Sequence, residues 1–392
     1  MKQRLALLAT AFAVTACVDA PTYPKSAEFP ASFSAAGSDV IPGRFIVTLR
    51  DGASPAAVAR EHGVSPDYVY TAALNGFAGA MSDAARSGLL RDARVSRVEP
   101  DGIARASTTQ SNATWGLDRS DQRGLPLSGT YSYTNTGSGV TAYIIDTGID
   151  LGHSEFGGRA SFGYDAIGDG QNGNDCNGHG THVAGTVGGA TYGIAKAVTL
   201  KAVRVLDCGG SGSWSGVIAG VDWVVSNHAA GSPASSNMSL GGGASASVDD
   251  AVKRMIADGV ASAVAAGNGN QGGIAQDACK YSPARVPEAM TIGATTKTDV
   301  KTSWSNYGAC VDWFAPGSGI TSAWIGGGNT ETNTISGTSM ATPHVAGVAA
   351  LYLQSNPGAS PQTVRDALYA NTTKGIVTSS KTTNNHLLFT NY

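Results

Sequence analysis

Near its C-terminus the chain passes from Gly337-Thr338-Ser339-Met340 through Ala341-Thr342-Pro343-His344 into Val348-Ala349-Ala350-Leu351-Tyr352-Leu353-Gln354, an apolar run with no breaker. A helix that is apolar all round is buried. Gly337 and Thr338 read as loop and cap, and Pro343 suits a first helical turn, where its missing N–H costs little. Further upstream, Val140-Thr141-Ala142-Tyr143-Ile144-Ile145 is a β-rich run ending at Asp146-Thr147-Gly148. Leu200–Leu206, Ser235–Leu240, Val260–Ala266 and Met290–Ala294 read as further strands. Gly180–Gly188, Ser215–His228 and Val248–Asp258 between them read as helices. Such alternation predicts an α/β fold with a mainly parallel sheet and helices on both faces, its chemistry at the carboxyl ends of the strands.

A smaller unit precedes it. Arg44–Leu49 reads as a strand, Pro55–His62 as a helix and Tyr68–Met81 as one bent or two strands turning at Asn75-Gly76. A helix over Ser82–Ala93 and a strand over Val95–Val98 complete a β-α-β-β-α-β order, which predicts a small α+β, ferredoxin-like unit. Residues 18–38 and 107–113 read as linkers.

Composition narrows the class. Charged residues are 14% of the 392, glycines number 52 and the net charge is −3, which suits a turn-rich globular protein and not a disordered one. There is no basic run, which argues against a nucleic-acid partner, and no stretch of transmembrane length. Residues 1–17 read as an export signal: Lys2 and Arg4, the apolar run Leu5–Val14, then small residues with cleavage after Ala16. Val14-Thr15-Ala16-Cys17 equally resembles a lipoprotein box in which Cys17 is acylated at the same cut. Four cysteines remain, Cys176, Cys208, Cys279 and Cys310, and export favours disulfides. Three connectivities are open; neighbour pairing, Cys176–Cys208 and Cys279–Cys310, closes two loops of similar length and is preferred. A metal site at Cys176-x-x-His179-x-x-His182 is the weaker reading, since a second ligand pair is lacking.

Three polar motifs stand where the sheet would place function. Asp146 follows an apolar strand and, if buried, needs a partner. His179 lies among glycines in Asn177-Gly178-His179-Gly180-Thr181-His182, and Ser339 heads the apolar helix. A serine hydroxyl is a weak nucleophile until a base takes its proton and a third group orients that base. Each motif alone reads as readily as a turn, a structural histidine or a cap. Together, Asp146-Thr147-Gly148-Ile149, Asn177–Gly185 and Gly337–His344 resemble the three active-site signatures of subtilisin-like serine proteases, in that family's order Asp…His…Ser. From about Trp115 to the C-terminus the chain is most similar to the proteinase K group, and within it to aqualysin-type bacterial enzymes.

That resemblance implies a seven-stranded subtilisin-type sheet and a secreted, broad-specificity endopeptidase acting through Asp146, His179 and Ser339. Asn268 would donate to the oxyanion beside the Ser339 N–H. Ser239, Leu240 and Gly241 (with Gly242 following) and Ala265, Ala266 and Gly267 would wall a pocket for an apolar or aromatic side chain. Gly210, Ser211 and Gly212 would form the edge to which substrate adds as a strand. Residues 39–107 would be a propeptide that chaperones folding, inhibits, and is cleaved off near Ala106 or Ser107, leaving 108–392 as a monomeric enzyme. Calcium is implied at Asp118, Asp121 and Gln122, and at Asp312 with the carbonyls of Pro287 and Ala289; Asp169 and Asp175 are a weaker pair. The resemblance also supports the neighbour cysteine pairing. Gly269–Ala278 is longer than the family pattern, and Trp214 stands beside the substrate edge. His182 and His344 read as core histidines. An α/β-hydrolase needs G-x-S-x-G and the order Ser…Asp…His, neither of which is present, and a non-catalytic homologue would lack one of the three residues.

Overall fold

A computed structural model of the protein describes residues 40–102 and 108–392. The export signal, the lipid-box reading of Cys17, the 18–38 linker and the cleavage point at Ala106 or Ser107 lie outside the described residues.

The first unit comprises β1 (Val40–Leu49), α1 (Pro55–Glu61), β2 (Tyr68–Tyr70), β3 (Gly76–Ala80), α2 (Asp83–Leu89) and β4 (Val95–Gly102). Its sheet runs β2-β3-β1-β4, antiparallel throughout, as a ferredoxin-like unit requires. Val47, Val58, Phe77 and Leu89 close a small core. Ser54 and Ser82 cap the helices through their side chains, which starts α2 at Asp83 and not Ser82. Asn75-Gly76 is not a two-residue turn: Gly76 is already in β3, opposite Thr48 and Tyr70.

Residues 107–113 are not simply a linker. Thr108–Ser111 is β5, paired antiparallel with β6 (Thr130–Tyr133), and α3 (Trp115–Ser120) lies between them. The pairing partner is some 20 residues away, which is why a polar stretch can be a strand without showing it locally.

The main sheet has seven strands: β7 (Thr141–Asp146), β8 (Ala160–Asp165), β9 (Thr199–Arg204), β10 (Ala234–Met238), β12 (Val260–Ala265), β14 (Met290–Thr295) and β15 (Trp313–Pro316). Their order is β15-β14-β12-β10-β7-β9-β8, and every pair is parallel. Two short antiparallel pairs flank it, β11 (Gly242–Gly243) with β13 (Tyr281–Ser282) and β16 (Ile320–Ala323) with β17 (Thr332–Ile335). Alternation along β7 shows the two-sided burial: Ala142 and Ile144 pack with α4 (His179–Gly188), α7 (Thr338–Ser355) and α8 (Pro361–Asn371). Tyr143 and Ile145 pack on the other face with α5 (Trp214–Asn227) and α6 (Ala246–Ala257).

Helix α7 runs 18 residues and its core stretch is buried, as the apolar run predicts. Pro343, however, is not in its first turn. The helix starts at Thr338, which puts Pro343 inside and removes the N–H that would bond the Ser339 carbonyl four residues back.

Candidate active site

The carboxyl end of β7 delivers Asp146 fully buried. Its Oδ1 accepts from the Thr147 N–H at 2.8 Å and meets His179 Nδ1 at 2.7 Å, while Oδ2 has no hydrogen-bond partner among the described residues. A carboxylate at Nδ1 holds the ring proton there and leaves Nε2 as the basic nitrogen. Burial alone would lower the His179 pKa; the Asp146 charge and hydrogen bond outweigh it, Asp175 adds to them, and the ring titrates above its ordinary value.

Glycines permit this approach. Gly178 caps α4 at φ 104°, a left-handed conformation, and a Cβ on Gly180 would lie 2.1 Å from the Gly148 carbonyl oxygen. Asp175 then fixes the junction. Its Oδ1 accepts from Thr147 Oγ1 (2.9 Å), Asn177 N (2.9 Å) and Gly178 N (3.0 Å), and its Oδ2 from Thr181 N (2.9 Å) and Oγ1 (2.7 Å). One buried carboxylate thus joins the residue after Asp146 to the residues around His179. Asp169 lies elsewhere in the network, bound by the Arg204 guanidinium at 2.6 and 2.8 Å, so Asp169 and Asp175 do not form a shared cation site.

Ser339 is the second residue of α7, where N–H groups have no carbonyl a turn earlier. Thr338 gives its N–H and hydroxyl to Asn268 Oδ1, both at 2.8 Å. With its oxygen engaged, Asn268 keeps its NH2 as the donating end, beside Gly337. The carbonyl that Pro343 leaves open, that of Ser339, accepts from Ser239 Oγ at 2.8 Å, and Ser339 Oγ donates to the Ser239 carbonyl at 3.2 Å. The nucleophile candidate and the pocket wall are therefore tied in both directions. Sequence reasoning placed Ser239 only as a wall; the stray proline inside an apolar helix was the signal for its second task.

His179, Ser339 and Asn268 line one cleft of about 720 Å³. Residues 210–212, 239–241 and 265–267 line it too, together with Trp214, Tyr281 and Asn306. Trp214 lies against Gly242, where a Cβ would come within 2.8 Å of the indole. Asn306, whose role the sequence reading missed, is a hub. Its Oδ1 accepts from Gly269 N (3.0 Å) and Gln276 N (2.8 Å) and its Nδ2 donates to the Ala266 carbonyl (2.8 Å), closing the long 269–278 loop beside Asn268. Disulfides join Cys176 to Cys208 and Cys279 to Cys310, so Cys176 is no metal ligand with His179 and His182. The first holds the histidine loop to the 210–212 edge, a link that Asn177 Nδ2 reinforces by donating to the Cys208 carbonyl at 3.0 Å. His182 and His344 are buried, bonded through Nε2 to the Ile320 carbonyl (2.9 Å) and through Nδ1 to the Met340 carbonyl (2.8 Å).

The two implied calcium sets differ. Around α3, Asp118 accepts from the Ser128 and Gly129 amides, Gln122 Oε1 from the Ser128 amide, and Asp121 Oδ2 from Ser132 N at 2.7 Å. Asp121 Oδ1 is buried with no partner among the described residues, and burial, with the Asp118 charge, raises its pKa to about 6. An orphaned buried oxygen beside a second carboxylate fits a hard cation. The Asp312 set does not fit. Arg365 Nη2 lies 2.5 Å from Asp312 Oδ1, and Nη1 of the same guanidinium donates to the Pro287 carbonyl. A cation already stands between these two expected ligands, leaving only the Ala289 carbonyl of the set.

Residues 137–389 match the model of the subtilase family and residues 44–107 that of the peptidase inhibitor I9 family. The chain is 51% identical over 410 residues to an extracellular serine proteinase of Thermus sp. (strain Rt41A), covering 98% of each chain. It is 51% identical to alkaline serine exoprotease A of Vibrio alginolyticus over 84% of this chain and 61% of that protein. The crystal structure of a cold adapted subtilisin-like serine proteinase superposes with a TM-score of 0.68 at 54% identity, over 71% of this chain and 98% of that one. The subtilase match spans more than half of the chain and the Thermus relative is aligned over nearly all of it, so the chain belongs to the subtilase family of serine peptidases.

Proposed function

We propose that the protein is an exported endopeptidase, made as a self-cleaving zymogen, that hydrolyses peptide bonds after apolar or aromatic residues. The observation that carries the chemistry is the His179 Nδ1–Asp146 contact of 2.7 Å in a cleft that also holds Ser339 and Asn268. Substrate adds as a strand along Gly210-Ser211-Gly212. His179 Nε2 takes the Ser339 proton as Oγ attacks the scissile carbonyl, and later gives that proton to the leaving amine. Water then hydrolyses the acyl-enzyme with the same base. Asp146 keeps the tautomer and stabilises the imidazolium. Asn268 Nδ2 and the Ser339 N–H receive the oxyanion.

The apolar preference rests on the cleft's lining: among the described residues no Asp, Glu, Lys or Arg lines it, and the 265–267 and 239–241 walls are small or apolar. A charged side chain entering there would find no partner. The I9 match over residues 44–107 supports an intramolecular inhibitor, cleaved off near Ala106 or Ser107. Export is supported by the leader pattern, two disulfides and the similarity to an extracellular Thermus proteinase. Asp118, Asp121 and Gln122 would hold calcium, which would supply charge compensation and rigidity to the β5–β6 region and no reactive group.

The decisive experiment compares wild type, Ser339→Ala and Asn268→Ala on chromogenic peptides ending in Phe, Ala, Lys or Asp. Ser339→Ala should lose at least ~10³-fold in turnover and leave the precursor uncleaved, and Asn268→Ala should lose ~10²–10³-fold. Equal hydrolysis by wild type and Ser339→Ala would refute the assignment. Wild type that prefers the Lys or Asp peptide would refute the pocket reading alone.

A further inference from the structure

We infer that Arg365 is the resident cation of the Asp312 site, so that this seam is closed by a guanidinium and takes no calcium in the native protein. Asp312 precedes the edge strand β15 and faces β14: its N–H donates to the Thr291 carbonyl at 2.9 Å, and the Thr291 N–H donates back to its Oδ2 at 2.8 Å. Oδ1 takes no backbone donor among the described residues and faces Arg365. Arg365, from the middle of α8, meets that oxygen and the Pro287 carbonyl with its two terminal nitrogens.

The chemistry of the two cations decides between them. Calcium needs six to eight oxygens within about 2.6 Å, whereas a guanidinium is planar, always charged, and matched to one carboxylate oxygen and one carbonyl in a single plane. Arg365 Nη atoms held at both oxygens exclude an ion between them by contact and by charge. The guanidinium also does something the ion could not: because it is covalently part of α8, it pins that helix to the 287–312 seam whatever the calcium concentration outside the cell. Calcium dependence, where the protein has it, then resides in the Asp118, Asp121 and Gln122 loop. The Arg365 assignment does not depend on that loop being filled.

The test uses mature enzyme inactivated with a sulfonyl fluoride to stop self-digestion. Calcium per chain is counted after gel filtration in calcium buffer, and melting temperature is read with calcium and with chelator. Asp312→Asn should hold the same calcium as wild type. Arg365→Ala, which opens the cradle, should hold about one further ion, and its melting temperature should fall in chelator and recover with calcium by a larger increment than wild type shows. Arg365→Met, which keeps the aliphatic stem, serves if the alanine variant does not fold. Loss of one calcium from Asp312→Asn would overturn the inference. So would an Arg365→Ala or Arg365→Met variant that binds no extra calcium and melts in chelator like wild type.

Discussion

Asp175 touches neither the cleft nor a reacting atom, yet five of its hydrogen bonds converge on the two ends of the Asp146–His179 contact. It acts as a positioning residue, through geometry and through charge. Its negative charge is one of the influences holding the His179 pKa above the ordinary imidazole value. Only neutral His179 can accept the serine proton, so kcat/KM should climb with pH through that raised pKa. Asp175→Asn keeps one of the two acceptor oxygens, replaces the other with a donor and removes the charge. It disfavours the imidazolium, so the acid limb of the profile should move to lower pH, while kcat falls by roughly tenfold to a hundredfold from misplacement of the base. KM should change little, since the 210–212 edge is untouched. An unshifted acid limb in the variant would show that Asp175 is structural only.

At the scale of the element, α7 joins a helix break to the site it serves. Pro343 withholds the N–H due to the Ser339 carbonyl, and Ser239 Oγ supplies the donor from another segment. Ser239→Ala should therefore destabilise by ~1–3 kcal/mol, the cost of a buried carbonyl left without a donor. Pro343→Ala restores the intrahelical N–H. Combining the two should cost less than Ser239→Ala alone, a non-additivity that a double-mutant cycle on melting temperatures would measure. Strict additivity would mean that the hydroxyl and the helix N–H do not compete for that carbonyl. The same element shows what the sequence could tell. Strands β7 and β12 and helix α7 were legible because burial on both sides leaves runs of apolar and small residues, β9, β10 and β14 from their alternation with helix-like segments, and the three polar residues stood out at strand or helix ends. Edge strand β8 was not, because Ala160-Ser161-Phe162-Gly163-Tyr164-Asp165 is only partly covered and carries no such run. Nor was β5, whose partner is distant. Arg365 was invisible for a related reason. It sits in Pro361-Gln362-Thr363-Val364-Arg365-Asp366, an ordinary half-polar helix start, and only the fold brings it to an aspartate 53 residues earlier.

For the whole molecule, pH and calcium act on stability through different buried groups with opposite sign. Burial lowers the pKa of His182 and of His344 to about 4, so both are neutral when folded at ordinary pH. A depressed folded-state pKa contributes stability that is fully present above the unfolded value near 6.5 and is lost as pH falls toward 4, on the order of 3 kcal/mol per histidine. Asp121 behaves the other way. Its folded pKa is raised to about 6, so its contribution favours the fold at low pH and is lost as pH rises through 6. A calcium ion at Asp121 would compete with the proton and remove that penalty only where the carboxylate is ionised. In chelator Asp121 offsets only part of what the two histidines contribute between pH 4.5 and 7.5, and melting temperature should rise less steeply with pH than in calcium. In calcium the histidine term is left alone, and melting temperature should rise steadily with pH. The calcium increment itself should be small at pH 5 and several degrees at pH 7. Calorimetry of the serine-inactivated enzyme at both pH values, with Asp121→Asn alongside, reads this directly: the variant should lose most of the increment at pH 7, and an increment equal at both pH values would place the bound ion away from Asp121.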